Sequence, residues 1–270
     1  SGLAAGQTLA GLDFRPNSGE LYAIGYNAGA GTARLYRIDR NTGQANPIGA
    51  APVQLKPDMG AIGFDFNPTV DRIRVTGEDN SNYRMHPVTG AVVATDGDLA
   101  FAAADANAGA DPVIGTVAYT NSYIGTTATT LFDYDLALDA ITTQIPPNNG
   151  TLNTVGKAGL MLNPADRSVD MDIYFDPAAN INRAFLAANT GASLNDDLYR
   201  IDMTTGAATL IGPIGGGMPV SNIAVFIDRT VPAMPTGDLL YALTSGNNLI
   251  SFDAANPALL RTISPVSGIA

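Results

Sequence analysis

Leu12-Asp13-Phe14-Arg15-Pro16-Asn17-Ser18-Gly19-Glu20-Leu21-Tyr22-Ala23-Ile24-Gly25 reads as a strand, a Pro-led turn and a second strand. Relatives of this stretch return along the chain. Phe66 follows Gly63-Phe64-Asp65, Tyr119 follows Val117-Ala118, Phe175 follows Ile173-Tyr174, and Ile227 follows Val225-Phe226. Counted from Phe14, these markers are 52, 53, 56 and 52 residues apart, and the length of 270 residues is five times 54. A period of this size implies a solenoid, a propeller or an array.

The inside of each unit decides among them. Unit one offers four short runs, 11–14, 21–25, 34–39 and 44–48, each broken by Gly, Pro, Asn or Thr-Gly. Short runs rich in Tyr, Ile, Val and Thr between turn residues are strand signals, and four strands per unit make a propeller blade. The third strand recurs most plainly. Leu35-Tyr36-Arg37-Ile38-Asp39 ahead of Thr42-Gly43 matches Leu198-Tyr199-Arg200-Ile201-Asp202 ahead of Thr205-Gly206, and Tyr83–His86 ahead of Thr89-Gly90 is a third copy. The Thr-Gly ending turns the chain into strand four, because Gly tolerates the positive φ of such turns. The expected fold is all-β: a propeller of five blades, each of about four antiparallel strands, with six blades as the alternative. The blades are expected at 9–52, 58–97, 112–147, 169–212 and 220–266 in one domain over 1–270, with insertions at 98–111 and 148–168. Arg72, Arg74 and Thr76 alternate with Ile73 and Val75, the period of a half-buried strand.

Composition narrows the function classes. The net charge of −11 argues against nucleic acid and anionic membrane surfaces as partners. No run of eighteen apolar residues suggests a membrane span. Cys is absent, which removes disulfides, thiolate catalysis and thiolate metal sites. Trp is absent, which weakens any sugar site built on Trp stacking. Abundant Ala, Gly, Asn and Thr with little Lys suit an exported protein. No signal peptide is present in this chain, and Ser1-Gly2-Leu3-Ala4 reads as a processed end. It nearly matches Ser267-Gly268-Ile269-Ala270, so the ring is expected to close end to end, with homo-oligomers through exchanged termini as the alternative.

Few residues suggest chemistry. Arg15, Asn67, Asn121, Asp176 and Asp228 each follow a first strand, so their side chains could converge at the axis. The oxygens of Asn67, Asn121, Asp176 and Asp228 suit a hard cation such as Ca²⁺, while simple turn initiation before Pro16, Pro68 and Pro177 explains the same residue types. Asp13, Asp65 and Asp172 lie within first strands. They form an acidic ring if they face the channel, or pair with Arg15, Arg72 or Arg74 if they point sideways. Asn195-Asp196-Asp197 and Glu78–Asn82 read as solvated hairpin tips without the spacing of a calcium loop. His86, the single His, cannot make a standard zinc site, and no Gly-x-Ser-x-Gly elbow would serve it as a triad partner. It is expected on the surface or across a strand pair. No catalytic residue emerges.

Four blocks carry a family resemblance: Gly11–Gly25, Asp105–Pro112, Ala118–Asn121 and Pro147–Leu152. Together they resemble the DUF4394 family, bacterial exported proteins of unknown function that are expected to fold as β-propellers. The block Leu240–Ile250, common at the start of family members, here lies near the C-terminus, as if the chain were cut at another blade junction. The resemblance implies export and a propeller, and supplies no activity. The expected function is a secreted or cell-surface, non-enzymatic binding or structural module, with a protein, a surface glycan or a second copy as partner. The alternative is a metal-assisted hydrolase, lactonase-like, with its active site at the axis.

Overall fold

A computed structural model describes residues 2–227, 239–243, 248–253 and 256–265. The chain is built of antiparallel sheets whose innermost strands stand side by side around a common axis. The first blade comprises β1 (Thr8–Phe14), β2 (Leu21–Asn27), β3 (Thr32–Ile38) and β4 (Ala45–Pro47), with β5 (Val53–Gln54) also on β3. The second runs in order through β6 (Ile62–Asn67), β7 (Arg72–Gly77), β8 (Asn82–Met85) and β9 (Val92–Thr95). The third comprises β10 (Ala100–Phe101), β11 (Ile114–Tyr119), β12 (Leu131–Asp135), β13 (Ala140–Gln144) and β14 (Thr151–Lys157), ordered β10-β14-β13-β12-β11. The fourth runs through β15 (Val169–Asp176), β16 (Ile181–Ala188), β17 (Asp197–Ile201) and β18 (Ala208–Pro213). Strands β1, β6, β11 and β15 each pack on the next. Among the described residues no helix is long and apolar enough to cross a membrane.

Among the described residues four blades are found, not the five or six that the periodicity suggests. Asn222–Ile227, expected as a fifth innermost strand, pairs in no sheet among the described residues. It lies between the fourth blade and the first: its backbone donates to Asp170 and Asp172 on β15, and Phe226 packs edge-on against Phe14 with centroids 5.4 Å apart. A further three-stranded sheet follows, β19 (Leu239–Leu243), β20 (Asn248–Asp253) and β21 (Asn256–Pro265). The matching chain ends fall largely outside the described residues. The expected insertions also carry structure. Segment 148–168 contains β14, the fourth strand of the third blade, and 98–111 docks on it: β10 pairs with β14 in parallel, and the Asp105 carboxylate accepts from Thr154 N (2.6 Å) and Thr154 Oγ1 (2.8 Å).

The sequence explains the local geometry. In the repeated strand-three turn the leading side chain accepts from backbone N–H groups two and three residues on. Asp39 takes Asn41 N (2.8 Å) and Thr42 N (3.2 Å), and Asp202 takes Thr204 N (2.8 Å) and Thr205 N (3.3 Å). His86 does the same through Nδ1, from Val88 N (3.2 Å) and Thr89 N (3.4 Å). The closing Gly43 (φ +68°), Gly90 (φ +70°) and Gly206 (φ +80°) occupy the left-handed region. Gly11 permits close blade contact, since a Cβ there would lie 2.3 Å from that of Phe64.

Two apolar cores join the blades in pairs. Tyr22, Ile24 and Leu35 meet Phe64, Phe66, Ile73 and Met85 between the first and second. Phe132, Tyr134 and Ile141 meet Met171, Ile173 and Leu186 between the third and fourth. The half-buried reading of β7 is corrected, because Arg74 and Thr76 are as buried as Ile73 and Val75. Arg74 is tolerated there because every nitrogen of its planar fork is engaged. It donates to Asp96 Oδ2 (2.6 Å), Asn82 Oδ1 (2.7 Å), Asn148 Oδ1 (2.8 Å) and Tyr119 Oη (3.3 Å), tying the second blade to the third. Burial raises the Asp96 pKa, but hydrogen bonds from Arg84 and Arg74 outweigh it and leave the carboxyl below its ordinary value. Arg74→Met strands these acceptors and should cost about 3–5 kcal/mol, read as a lowered urea midpoint. Arg74→Lys should recover only part of it, because one ammonium cannot span the same partners.

Candidate carboxylate centre at the propeller axis

A polar side chain on each innermost strand reaches the backbone of the next. Asp13 on β1 accepts from Phe66 N on β6 (2.9 Å), and Asp65 on β6 accepts from Tyr119 N on β11 (3.1 Å). The Thr116 hydroxyl on β11 accepts from Met171 N on β15 (3.0 Å). Asp170 and Asp172 on β15 accept from Ile223 N (2.8 Å) and Val225 N (2.5 Å). In each case the donor follows the counterpart of the acceptor on the neighbouring strand. The equivalent positions are therefore Asp13, Asp65, Ala118, Asp172 and Ala224. The true markers become Phe14, Phe66, Tyr119, Ile173 and Val225, spaced 52, 53, 54 and 52 residues apart. Phe175 and Ile227 stand two residues too far along, which is the source of the anomalous spacing of 56.

These bonds draw three carboxylates together. Asp13, Asp65 and Asp172 each offer one oxygen, and the three oxygens lie within 4.8 Å of one another. The residues are 5, 2 and 5% exposed. Of the two arrangements open in the sequence, this is the acidic ring. The arginines engage elsewhere: Arg15 forks onto Asp71 (2.8 and 2.5 Å), Arg74 holds Asp96, and Arg72 bonds the carbonyls of Val70 and Asp71.

The electrostatics follow from burial and crowding. Burial raises the Asp13 carboxyl well above its ordinary value, as does repulsion from Asp172 and Asp170, against the N–H groups of Phe66 and Phe14. Asp65 is raised well above its ordinary value by burial and by Asp13 and Asp172, against the Tyr119 N–H. Burial lifts Asp172 to about 6 and Asp170 to about 7, in spite of the backbone N–H groups that each accepts. The centre thus carries a like-charge cost that protons or a cation relieve. Its ligands are all oxygens, which suits a hard cation. Two oxygens bound to one Ca²⁺, each about 2.3–2.6 Å from it, are at most about 5 Å apart, and all three pairs of this cluster fall within that limit.

Of the set Asn67, Asn121, Asp176 and Asp228, the three described members are engaged outside this cluster. Asn67 accepts from Thr69 N (2.9 Å) and Thr69 Oγ1 (2.6 Å), closing the β6–β7 turn. Asn121, at φ +58°, exchanges hydrogen bonds with Asn182. Asp176 accepts from Ala178 N and Ala179 N and pairs with Arg183 at 2.9 Å, and the Arg183 hydrogen bond holds its pKa below the ordinary value. Asp228 lies outside the described residues. Asp196, expected at a solvated tip, is 1% exposed and accepts from Val220 N (2.6 Å). Asp170 and Thr116 are new to the site. An alignment on the alternating polar positions of the first strands, rather than on the residue before the turn, would have found them.

No curated protein matches the sequence. Among solved structures, Myxococcus xanthus glutaminyl cyclase aligns at 12% identity and a TM-score of 0.44, over 77% of this chain and 74% of that one. A nidogen/laminin complex chain aligns at 14% and 0.42 over 87% and 90%. A putative 6-phosphogluconolactonase of Bacteroides fragilis aligns at 15% and 0.41 over 82% of this chain and 58% of that one. The model of one family, a domain of unknown function named DUF4394, matches residues 1–224, and the chain belongs to that family.

Proposed function

We propose that this chain is an exported, non-enzymatic binding or structural module whose axis is closed by a divalent cation, Ca²⁺ by preference, on Asp13, Asp65 and Asp172. One observation carries the reading: three carboxylates meet at one point and are 2–5% exposed. A catalytic metal keeps an open position for water or substrate. A centre this enclosed favours a cation that fastens innermost strands over a lactonase-like site. Export rests on composition and the family resemblance.

Calorimetric titration of chelator-treated protein with CaCl₂ should give one site per chain. Asp65→Asn should abolish that site, since its amide keeps an acceptor for Tyr119 N but loses the charge, and Asp176→Asn should leave it intact. Unchanged binding by Asp65→Asn, or no binding by the parent, would refute the assignment.

The pH dependence of stability supplies a second check. Asp170 and Asp172 titrate near 7 and 6 in the folded chain, against an ordinary value of 3.8. The folded state therefore holds more protons than the unfolded one between about pH 4 and 7. Their contribution is complete below pH 4 and is lost as the pH rises through 6 and 7. In chelator, the urea midpoint should fall across that window. Saturating Ca²⁺ should flatten the fall, because a ligand at one hundred times its Kd adds about 2.7 kcal/mol at neutral pH. Asp133, buried and lifted to about 8, contributes a calcium-independent part of the slope.

A further inference from the structure

The cation proposed at the axis would leave the surface ligand of a binding module unassigned. A cleft of about 420 Å³ opens between the first two blades, where the ends of β2, β3 and β4 face the turn after β8. Its wall includes Arg15, Tyr22, Arg37 and Asn46, with Pro47 and Val88 as apolar surface. A second hollow of about 240 Å³ shares Arg37 and Asn46 and continues to Arg40, with Glu20 and Asp39 also in its wall. The volume of the first lies in the range usual for small-ligand sites, about 300–1,000 Å³.

The two hollows are balanced in charge, with Arg15, Arg37 and Arg40 set against Asp71, Glu20 and Asp39, and so are less acidic than the molecule as a whole. The first 49 residues carry four arginines against three acids, in a chain whose net charge is −11. Asp13, one of those acids, is buried at the axis. The arginines are held differently. Arg15 is fixed by its fork on Asp71 and also donates to Tyr22 Oη (3.3 Å), so it forms a rigid wall. Arg37 meets Glu20 at 2.8 Å, but their side chains are 54 and 39% exposed. An exposed pair of this kind is worth little, and an incoming carboxylate can take the place of Glu20. Arg40 lies over Phe226 and Phe14, its guanidinium carbon 4.6 and 5.6 Å from their ring centroids, which keeps its donors at the edge of the second hollow.

We infer that this double cleft binds a short carboxylate-bearing saccharide, a uronic-acid oligomer, with Arg37 as its principal anchor. A guanidinium fork matches a carboxylate in two parallel hydrogen bonds. The Tyr22 hydroxyl and Asn46 amide suit sugar hydroxyls, and the Pro47–Val88 surface suits the apolar face of a sugar ring. Two hollows joined at Arg37 fit successive residues of an oligomer, with Arg40 near the second charge. Recognition by arginine rather than by stacking is consistent with a chain that has no Trp. A long, dense polyanion would meet repulsion from the rest of this acidic surface, whereas a short, sparsely charged one would not.

Tri-galacturonate titrated into the intact protein, followed by calorimetry and amide NMR, tests this. The expected result is saturable binding that weakens at least tenfold in Arg37→Gln, weakens with added NaCl, and is absent for a neutral galactose trimer. Arg37 is exposed, so the variant should keep the urea midpoint of the parent. Three results would overturn the inference: no saturable binding, equal affinity in Arg37→Gln, or equal binding of the neutral trimer. Binding of inorganic phosphate or a glutamate peptide in place of the uronate would overturn it too. Asp65→Asn, which empties the axial centre, should bind tri-galacturonate like the parent, so the two proposals can fail separately.

Discussion

The architecture depends on a carboxylate or hydroxyl of one innermost strand accepting a backbone N–H of the next. A propeller must join sheets that share no ladder, and the inward edge of each sheet presents N–H groups that need partners. Asp13, Asp65, Thr116, Asp170 and Asp172 provide them. Because the acceptors are mostly Asp, joining the blades also concentrates negative charge at the centre. The electrostatics of the axis are thus a by-product of how the ring is held. A cation there would relieve a cost that the fold itself creates.

Much of this was legible in the residues. Short runs broken by Gly, Pro and Thr-Gly gave the strands. The copies ending at Asp39, His86 and Asp202 share one turn chemistry, and the structure shows why a His can stand among the Asp: Nδ1 offers the acceptor that the turn requires. The family blocks also acquire reasons. Asn148, in the Pro147–Leu152 block, is a partner of buried Arg74, and Asp105 fastens its segment to Thr154.

What stayed hidden was register in depth. In the fourth unit Phe175 stands before Asp176-Pro177 just as Phe66 stands before Asn67-Pro68, yet Ile173 is the residue at the matching level. β15 extends two residues further before it turns. The mimicry exchanged an Asp that caps a turn for one that faces the axis. The blade count failed for a related reason. Asn222–Ile227 keeps the periodic pattern and the hydrogen bonds to its neighbour, but among the described residues it pairs in no sheet. Periodicity reports position around the ring, not ladder formation. Nor could period two reveal that β7 is buried on both sides, since that depends on Asn148 and Tyr119 arriving from the third blade.

The two apolar cores each weld a pair of neighbouring blades, whereas the second and third meet across Arg74, Asn82, Asp96 and Asn148. This gives the ring a grain. Parting it along that hydrophilic junction wets guanidinium, amide and carboxylate groups that water solvates well, and leaves both oily interiors closed. Among the first four blades, separation will therefore favour the seam between the second and the third, with the pair on either side of it moving as a stiff body.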